Sequence, residues 1–182
     1  MKWTFEPGHS AAEFKARHMM VTWVRGSFKN VHGELDFDPE HPEKLSVEAV
    51  VDARTCWTGE PARDAHLKSE DFLHCEQYPE IRFRSTGVTV IGPADYEVAG
   101  DLTIRGVTKP VTLAVRFNGT AQTPWWEDGV DKGPKQRAGF VGRTEIDRYD
   151  FGVSWNDTLP DGGVVVSRQI EIAVDVEGIR AG

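Results

Sequence analysis

Two cysteines in 182 residues are too few for a disulfide framework. No apolar run approaches the roughly 20 residues that a membrane-spanning helix needs. Cationic charge is also in deficit. Asp and Glu number 29 against 21 Lys and Arg, a net charge of −8. Such a chain repels a polyphosphate backbone, which argues against nucleic acid as the main partner and disfavours an anionic membrane surface. There is no internal repeat, low-complexity tract or domain boundary, so residues 1–182 read as one domain. The opening residues Met1-Lys2-Trp3-Thr4-Phe5-Glu6-Pro7 lack the apolar stretch and small-residue cleavage site of an export signal. The expected location is therefore the cytoplasm. There Cys56 and Cys75 stay thiols, although a single bridge between them remains open from sequence.

What the sequence has in abundance is alternation. Ala12, Phe14, Ala16 and His18 form one row, with Glu13, Lys15 and Arg17 on the opposite face. Similar rows run through Leu35 and Phe37, Val47 to Ala53, Ile81 to Ser85, Tyr96 to Ile104, Val111 to Phe117, Ala138 to Ile146, and Val164 to Val176. Period-two patterning of this kind predicts about eight strands. Turn sequences such as Gly92-Pro93-Ala94-Asp95 and Arg105-Gly106 separate several of them by short loops, which implies antiparallel neighbours. Several rows exceed the usual strand length of about 5 to 6 residues, favouring a tall barrel over a flat sandwich. The inward rows hold many small residues, among them Ala12, Ala16, Ala49, Gly100, Ala138 and Gly142. These either fit a barrel's taper or leave a lumen for a ligand.

Two stretches break the alternation. Residues 60–73 carry Leu67 and Phe72 among polar residues, with Ser69 placed to cap a second short helix, so one or two short helices are predicted there. Residues 119–136 form a long loop punctuated by Gly and Pro around Trp125-Trp126. That tryptophan pair either docks a partner or packs back over the barrel.

The segment "ARDAHLKSEDFLHCEQYPEIRF" (62–83) concentrates the reactive residue types. His66, His74 and Cys75, with Asp64 and Asp71, could supply metal ligands or the parts of a small-substrate enzyme, but their spacing matches no compact zinc or nucleophile signature. The plainer reading pairs Arg63 with Asp64 on a solvated helix and hydrogen-bonds His66 to a nearby loop. His18 and Arg168 are polar residues on apolar rows. Each is either a structural pair or solvent-facing group, or a contact for a ligand's polar head.

Five blocks in order, "HSAAEFKARH" (9–18), "RGSFKNVHGELDFD" (25–38), "ARDAHLKSEDFLHCEQYPEIRFRS" (62–85), "GDLTIRGVTKPVTL" (100–113) and "RYDFGVSW" (148–155), resemble the YceI-like polyisoprenoid-binding family over nearly the whole chain. The family's RDxHL falls on Arg63, Asp64, His66 and Leu67, and its HSxxxFxxxH on His9, Ser10, Phe14 and His18. The resemblance implies an all-β, lipocalin-like fold, an extended eight-stranded antiparallel β-barrel with a short helical segment near residues 60–73. It also implies a long-chain isoprenoid partner, of polyprenyl phosphate, polyprenyl diphosphate or isoprenoid quinone type, held in an apolar lumen. The protein would then be a carrier or reservoir rather than an enzyme, with no cofactor or metal, a homodimer, and transient contact with a membrane to load lipid. Set on the alternating rows, this reading places Phe14, Phe28, Leu35, Phe37, Val51, Phe83, Leu102, Phe117, Phe140 and Ile170 on the lumen wall. His18, Arg63, His66 and Arg168 are the expected polar contacts.

Overall fold

The structure, a computed structural model, describes residues 1–181. Twelve strands are present among them. They are β1 (Lys2–Phe5), β2 (Ala11–His18), β3 (Thr22–Phe28), β4 (Val31–Asp36), β5 (Ser46–Asp52), β6 (Glu80–Val90), β7 (Asp95–Ile104), β8 (Val107–Thr123), β9 (Trp126–Glu127), β10 (Val130–Asp131), β11 (Lys135–Asp147) and β12 (Gln169–Arg180). Helix α1 covers Pro61–Lys68. No helix among the described residues is long and apolar enough to cross a membrane.

Ten strands make one antiparallel sheet in the order β1-β4-β5-β6-β7-β8-β11-β12-β2-β3, and an additional β1–β12 pairing closes it. Consecutive β1 and β2 both pair with β12, at Gly178 to Arg180 and Glu171 to Asp175 respectively, so they share one position around the barrel. Their continuations β4 and β3 share the next position. Ten strands less two doubled positions give an eight-stranded closed antiparallel barrel. Short β9 and β10 form a separate hairpin beyond β8. Exposed edges are few, as closure requires.

The doubled positions open one end. β4 pairs with β5, but β3 touches the following segment only through the Ser27–Trp57 bridge. Helix α1 lies in this gap; its Leu67, and Phe72 and Leu73 from the turns that follow it, pack against the barrel core. Pro61 and the Glu60 carboxylate, which accepts from Ala62 N at 3.3 Å, start the helix. It remains a single helix. Ser69 is its C-cap, with its hydroxyl donating to His66 O at 2.7 Å, so the second helix predicted from Ser69 does not form.

Some of the small inward residues are seats for rings. A Cβ on Gly100 would lie 2.4 Å from Phe83 Cζ, and one on Gly26 would lie 2.3 Å from Phe14 Cζ. Each glycine lets an aromatic ring lie flat on the neighbouring strand.

Candidate ligand-binding site

A cavity of about 270 Å³ runs inside the barrel, from Phe5, Leu35 and Phe140 at one end to Phe151, Val153 and Val166 at the other. Its wall is almost wholly apolar. Ala12, Ala16, Ala49 and Gly142 keep it open, because no large side chain rises from those positions. Beyond Phe140 the barrel is plugged by rings. Phe37 packs on Tyr96, Phe117 and Phe140 at centroid distances of 6.1, 4.8 and 5.0 Å. Phe117 and Phe140 also meet at 5.2 Å. Contacts of this tilted and edge-on kind make a dense stopper.

The other end lies under α1. Phe72, Trp155 and His66 pack together, with His66 4.8 Å from Trp155 and 5.0 Å from Phe72. Four polar residues touch the cavity, Glu13, Arg82, Thr144 and Arg148, and of these Arg148 alone is buried, at 4% exposure. It stands in the 3₁₀ turn Arg148–Phe151 that follows β11. Its Nε donates to Ser167 O at 2.9 Å, its Nη1 to Val153 O at 2.7 Å and Trp155 O at 2.8 Å, and its Nη2 to Val166 O at 3.2 Å. Burial works against the charge and lowers its pKa from the ordinary guanidinium range.

Of the residues expected on the lumen wall, Phe14, Phe28, Leu35, Val51, Phe83, Leu102, Phe140 and Ile170 border the cavity. Phe37 and Phe117 belong to the stopper beyond it. The expected polar contacts lie elsewhere. His18 ends β2 and bridges Val166 from outside the cavity wall. His66 is half-buried, with Nε2 2.8 Å from Asp71 Oδ2. Arg168 is exposed, ion-paired with Asp147 and stacked 4.6 Å over Tyr149. Its guanidinium holds the Asp147 carboxyl below the usual carboxylate range.

The reactive types of residues 62–83 do not converge. His66 faces Asp71, while His74 stacks on Tyr78 at 5.7 Å. Cys75 and Cys56 are both buried free thiols. Desolvation pushes Cys56 up to about 12 and raises Cys75 as well. Among the described residues, the one group of His, Cys and carboxylates close enough to share an ion is Glu6, His9 and Glu177. Arg137 already pairs with that Glu177. In the β8–β11 loop, Trp125 lies under Arg137 at 5.2 Å, whereas Trp126 is 62% exposed on the β9–β10 hairpin.

A profile of the YceI-like domain matches residues 3–178. The chain belongs to the YceI-like family. It is 33% identical to a UPF0312 protein of Pseudomonas putida (strain W619), across 96% of this chain and 83% of the relative. Among solved structures, the fold is similar to Burkholderia cenocepacia BcnA, with a TM-score of 0.77, 22% identity, and coverage of 95% of this chain and 98% of that one. It is also similar to a polyisoprenoid binding domain of Saccharophagus degradans, with a TM-score of 0.68, 11% identity and 98% of both chains covered.

In this YceI-like barrel Arg63 and Asp64 of the RDxHL block both bond to Thr58. Buried Asp64 accepts from Thr58 N at 2.8 Å and from Thr58 Oγ1 at 2.5 Å. Arg63 Nε donates to Thr58 Oγ1 at 2.7 Å and its Nη2 to Thr58 O at 3.1 Å. Both side chains grip the loop that joins β5 to α1, so the helix is tied across the gap and Leu67 is delivered to the cavity. Ser10 of the HSxxxFxxxH block is buried and accepts from Glu177 N at 3.2 Å, which ties the β1–β2 break to β12. The buried Arg148, which opens the RYDFGVSW block, is the polar residue of the cavity that sequence reasoning passed over in favour of Arg168. The available signal was an arginine followed by apolar Phe151 and Val153 in a family block.

Proposed function

We propose that this YceI-like protein binds a long-chain isoprenoid lipid in the barrel lumen and carries or stores it without catalysis. The observation that carries the reading is the elongated apolar cavity, stoppered by rings at one end and reached by α1 at the other. Phe14, Phe28, Leu35, Val51, Phe83, Leu102, Phe140 and Ile170 are the proposed contacts for its tail. The likeness to a polyisoprenoid binding domain supports the ligand class. Each buried methylene contributes about 0.8 kcal/mol, so a polyprenyl tail needs no large polar anchor, although ordering and association costs offset much of the gain.

Loading fits the helical end. The β2–β3 turn exposes Met19, Met20 and Val21 in succession, with Val21 80% exposed. It connects directly to the cavity rim, because Met19 N donates to Val165 O at 2.8 Å and the cavity-lining Val166 bridges His18. Three consecutive exposed apolar residues are costly in water. They suit brief contact with a lipid surface.

Mass spectrometry of an organic extract of natively purified protein tests the reading. An isoprenoid lipid near one equivalent per chain is expected. A protein that neither co-purifies with a lipid nor binds added prenyl chains would refute it.

A further inference from the structure

Residues 58–78 form a module whose hydrogen bonds run almost wholly among themselves. Thr58 holds Arg63 and Asp64, and His66 pairs with Asp71. After α1 the chain folds back on the helix, with Leu73 N donating to Leu67 O at 3.0 Å, His74 N to Ser69 O at 2.8 Å and Cys75 N to Lys68 O at 2.9 Å. Two stems just outside the module are fixed. Trp57 exchanges main-chain bonds of 2.9 and 3.0 Å with Ser27, and Pro79 O accepts from Ala53 N at 2.8 Å. Between the stems, among the described residues, one hydrogen bond ties the module to the rest of the protein: Arg105 Nη1 donates to Phe72 O at 2.8 Å. The same nitrogen lies 3.3 Å from Gly152 O, so it clasps the module to the segment across the mouth.

That opposite segment is tied down far more heavily. Arg148 donates to four of its carbonyls, and the Asn156 amide bonds Val165 N, Val166 N and Val166 O. Arg17 N and Met19 N of the β2 side donate to Ser167 Oγ at 3.0 Å and Val165 O at 2.8 Å. Local opening starts where bonds to the surroundings are fewest, which is residues 58–78. Arg105 also stands at an unusual place. With Gly106 it makes the two-residue turn from β7 to β8, at φ of 50° and 73°. Such a turn favours Asn, Asp or Gly at its first position, so the backbone gives no reason for an arginine there. Its side chain does, by reaching Phe72 O.

We infer that residues 58–78 are the lid of the lumen, swinging on Trp57 and Pro79, and that Arg105 is the latch that sets how fast a prenyl chain is taken up and released. The inference rests on the lipid-carrier reading and names the part of the wall that gives way. Leu67, Phe72 and Leu73 of the lid border the cavity, so lifting it opens the lumen itself. Elsewhere the wall is strand ladder, and the far end is stoppered by Phe37. Arg105 does not border the cavity. A latch of this kind holds the lid whether the lumen is full or empty, so its loss speeds uptake and release alike and leaves affinity unchanged.

Amide hydrogen exchange of the unmodified, lipid-free protein reads the lid without any ligand. Amides bonded within residues 61–78 are expected to exchange together and faster than those of β6, β7 and β8. Exchange of the module only along with those strands would overturn the inference. Arg105→Ala should speed exchange of the module about tenfold, the worth of one hydrogen bond to a charged group, and leave the strands unmoved. Stopped-flow fluorescence with farnesyl anthranilate, a fluorescent prenyl ester, then measures the gate. In Arg105→Ala its association and release rates should both rise about tenfold with Kd constant within about twofold. Arg116→Ala, which removes an arginine paired with Asp95 at the stoppered end, should match the parent. Unchanged rates in Arg105→Ala, or a Kd that rises as much as release does, would overturn the latch and leave the lumen reading intact. Equal acceleration in Arg116→Ala would overturn it too, because general loosening would then explain the rates. If farnesyl anthranilate binds neither the parent nor the variants, the lipid reading falls and the gate with it.

Discussion

Replacing Gly142 by leucine probes whether the lumen is vacant space reserved for a ligand. Gly142 is buried on β11 and faces the cavity. A Cβ there would meet Val115 Cγ2 at 3.8 Å, with Leu113 Cδ2 and Val174 O at 4.0 Å, all ordinary van der Waals distances. A leucine can therefore project into the cavity without displacing main chain. Burying it contributes about 1.5 to 3 kcal/mol. Removing glycine's freedom from the unfolded chain adds about 0.4 to 1 kcal/mol. Fixing the leucine rotamer costs about 0.5 to 1 kcal/mol. The net is roughly 2 kcal/mol in favour of the folded, lipid-free protein. The same four carbons occupy room that a tail would use, worth about 3 kcal/mol at 0.8 per methylene, or about two powers of ten in Kd. The two effects have opposite signs, which few substitutions produce. Urea unfolding of stripped protein should move its midpoint up by about 1 M, given slopes of about 1 to 3 kcal/mol/M. Stripping is essential, because residual lipid would stabilise the parent and mask the gain. A lowered midpoint together with undiminished lipid binding would refute the reasoning. It would mean that the site is already filled and lies off the ligand's path.

Phe37→Ala should destabilise the protein by about 3 to 5 kcal/mol, and by opening the stopper it should shift preference toward longer prenyl chains. A chain-length series that keeps its profile would show that the stopper does not set lumen depth. Cys56, held as a thiol by a pKa of about 12, and Cys75, raised by the same desolvation, should both resist a maleimide dye at pH 8 and react only on unfolding. Labelling of the folded protein at free-thiol rates would contradict their burial. Arg168→Ala should leave lipid binding unchanged at neutral pH and flatten the acid limb of the stability curve. The Arg168 hydrogen bond depresses the Asp147 pKa below its unfolded value of 3.8. The associated stability is therefore present above about pH 4 and lost as pH falls through the lower folded value. An unchanged acid limb would show that the pair contributes nothing to folding.

The alternating rows at Tyr96 to Ile104, Val111 to Phe117 and Ala138 to Ile146 are legible because each strand has one face in the core and one in water. β3 escaped that reading. Its Trp23 points outward and is covered by Lys15 and Arg17, at 4.7 and 4.3 Å, so an aromatic residue stands where the pattern expects a polar one. Val164 to Arg168 read as the start of the last strand, yet β12 begins at Gln169. The carbonyls of Val166 and Ser167 are taken by Arg148, and the Asn156 amide oxygen accepts from Val165 N and Val166 N at 3.1 Å. Side chains interrupt the ladder here, leaving the His18–Val166 bridge as an isolated pairing, and no local periodicity reveals this.

Period-two patterning, turn chemistry and five ordered blocks were enough to establish an antiparallel barrel of this family, because those signals are local or accumulate along the chain. Which small residues mark the cavity and which seat a ring was settled by pairing across strands. Gly26 and Gly100 lie under Phe14 and Phe83, whereas Gly142 borders the cavity and a Cβ there would meet neighbours only at ordinary van der Waals distances. Closure likewise sorted the two arginines. Arg168 meets Asp147 outside the barrel, and Arg148, anchored by carbonyls at Val153, Trp155, Val166 and Ser167 of the connection between β11 and β12, borders the lumen. An arginine's burial and partners depend on how the connection between β11 and β12 folds over the barrel end, so its role is not encoded in its own row.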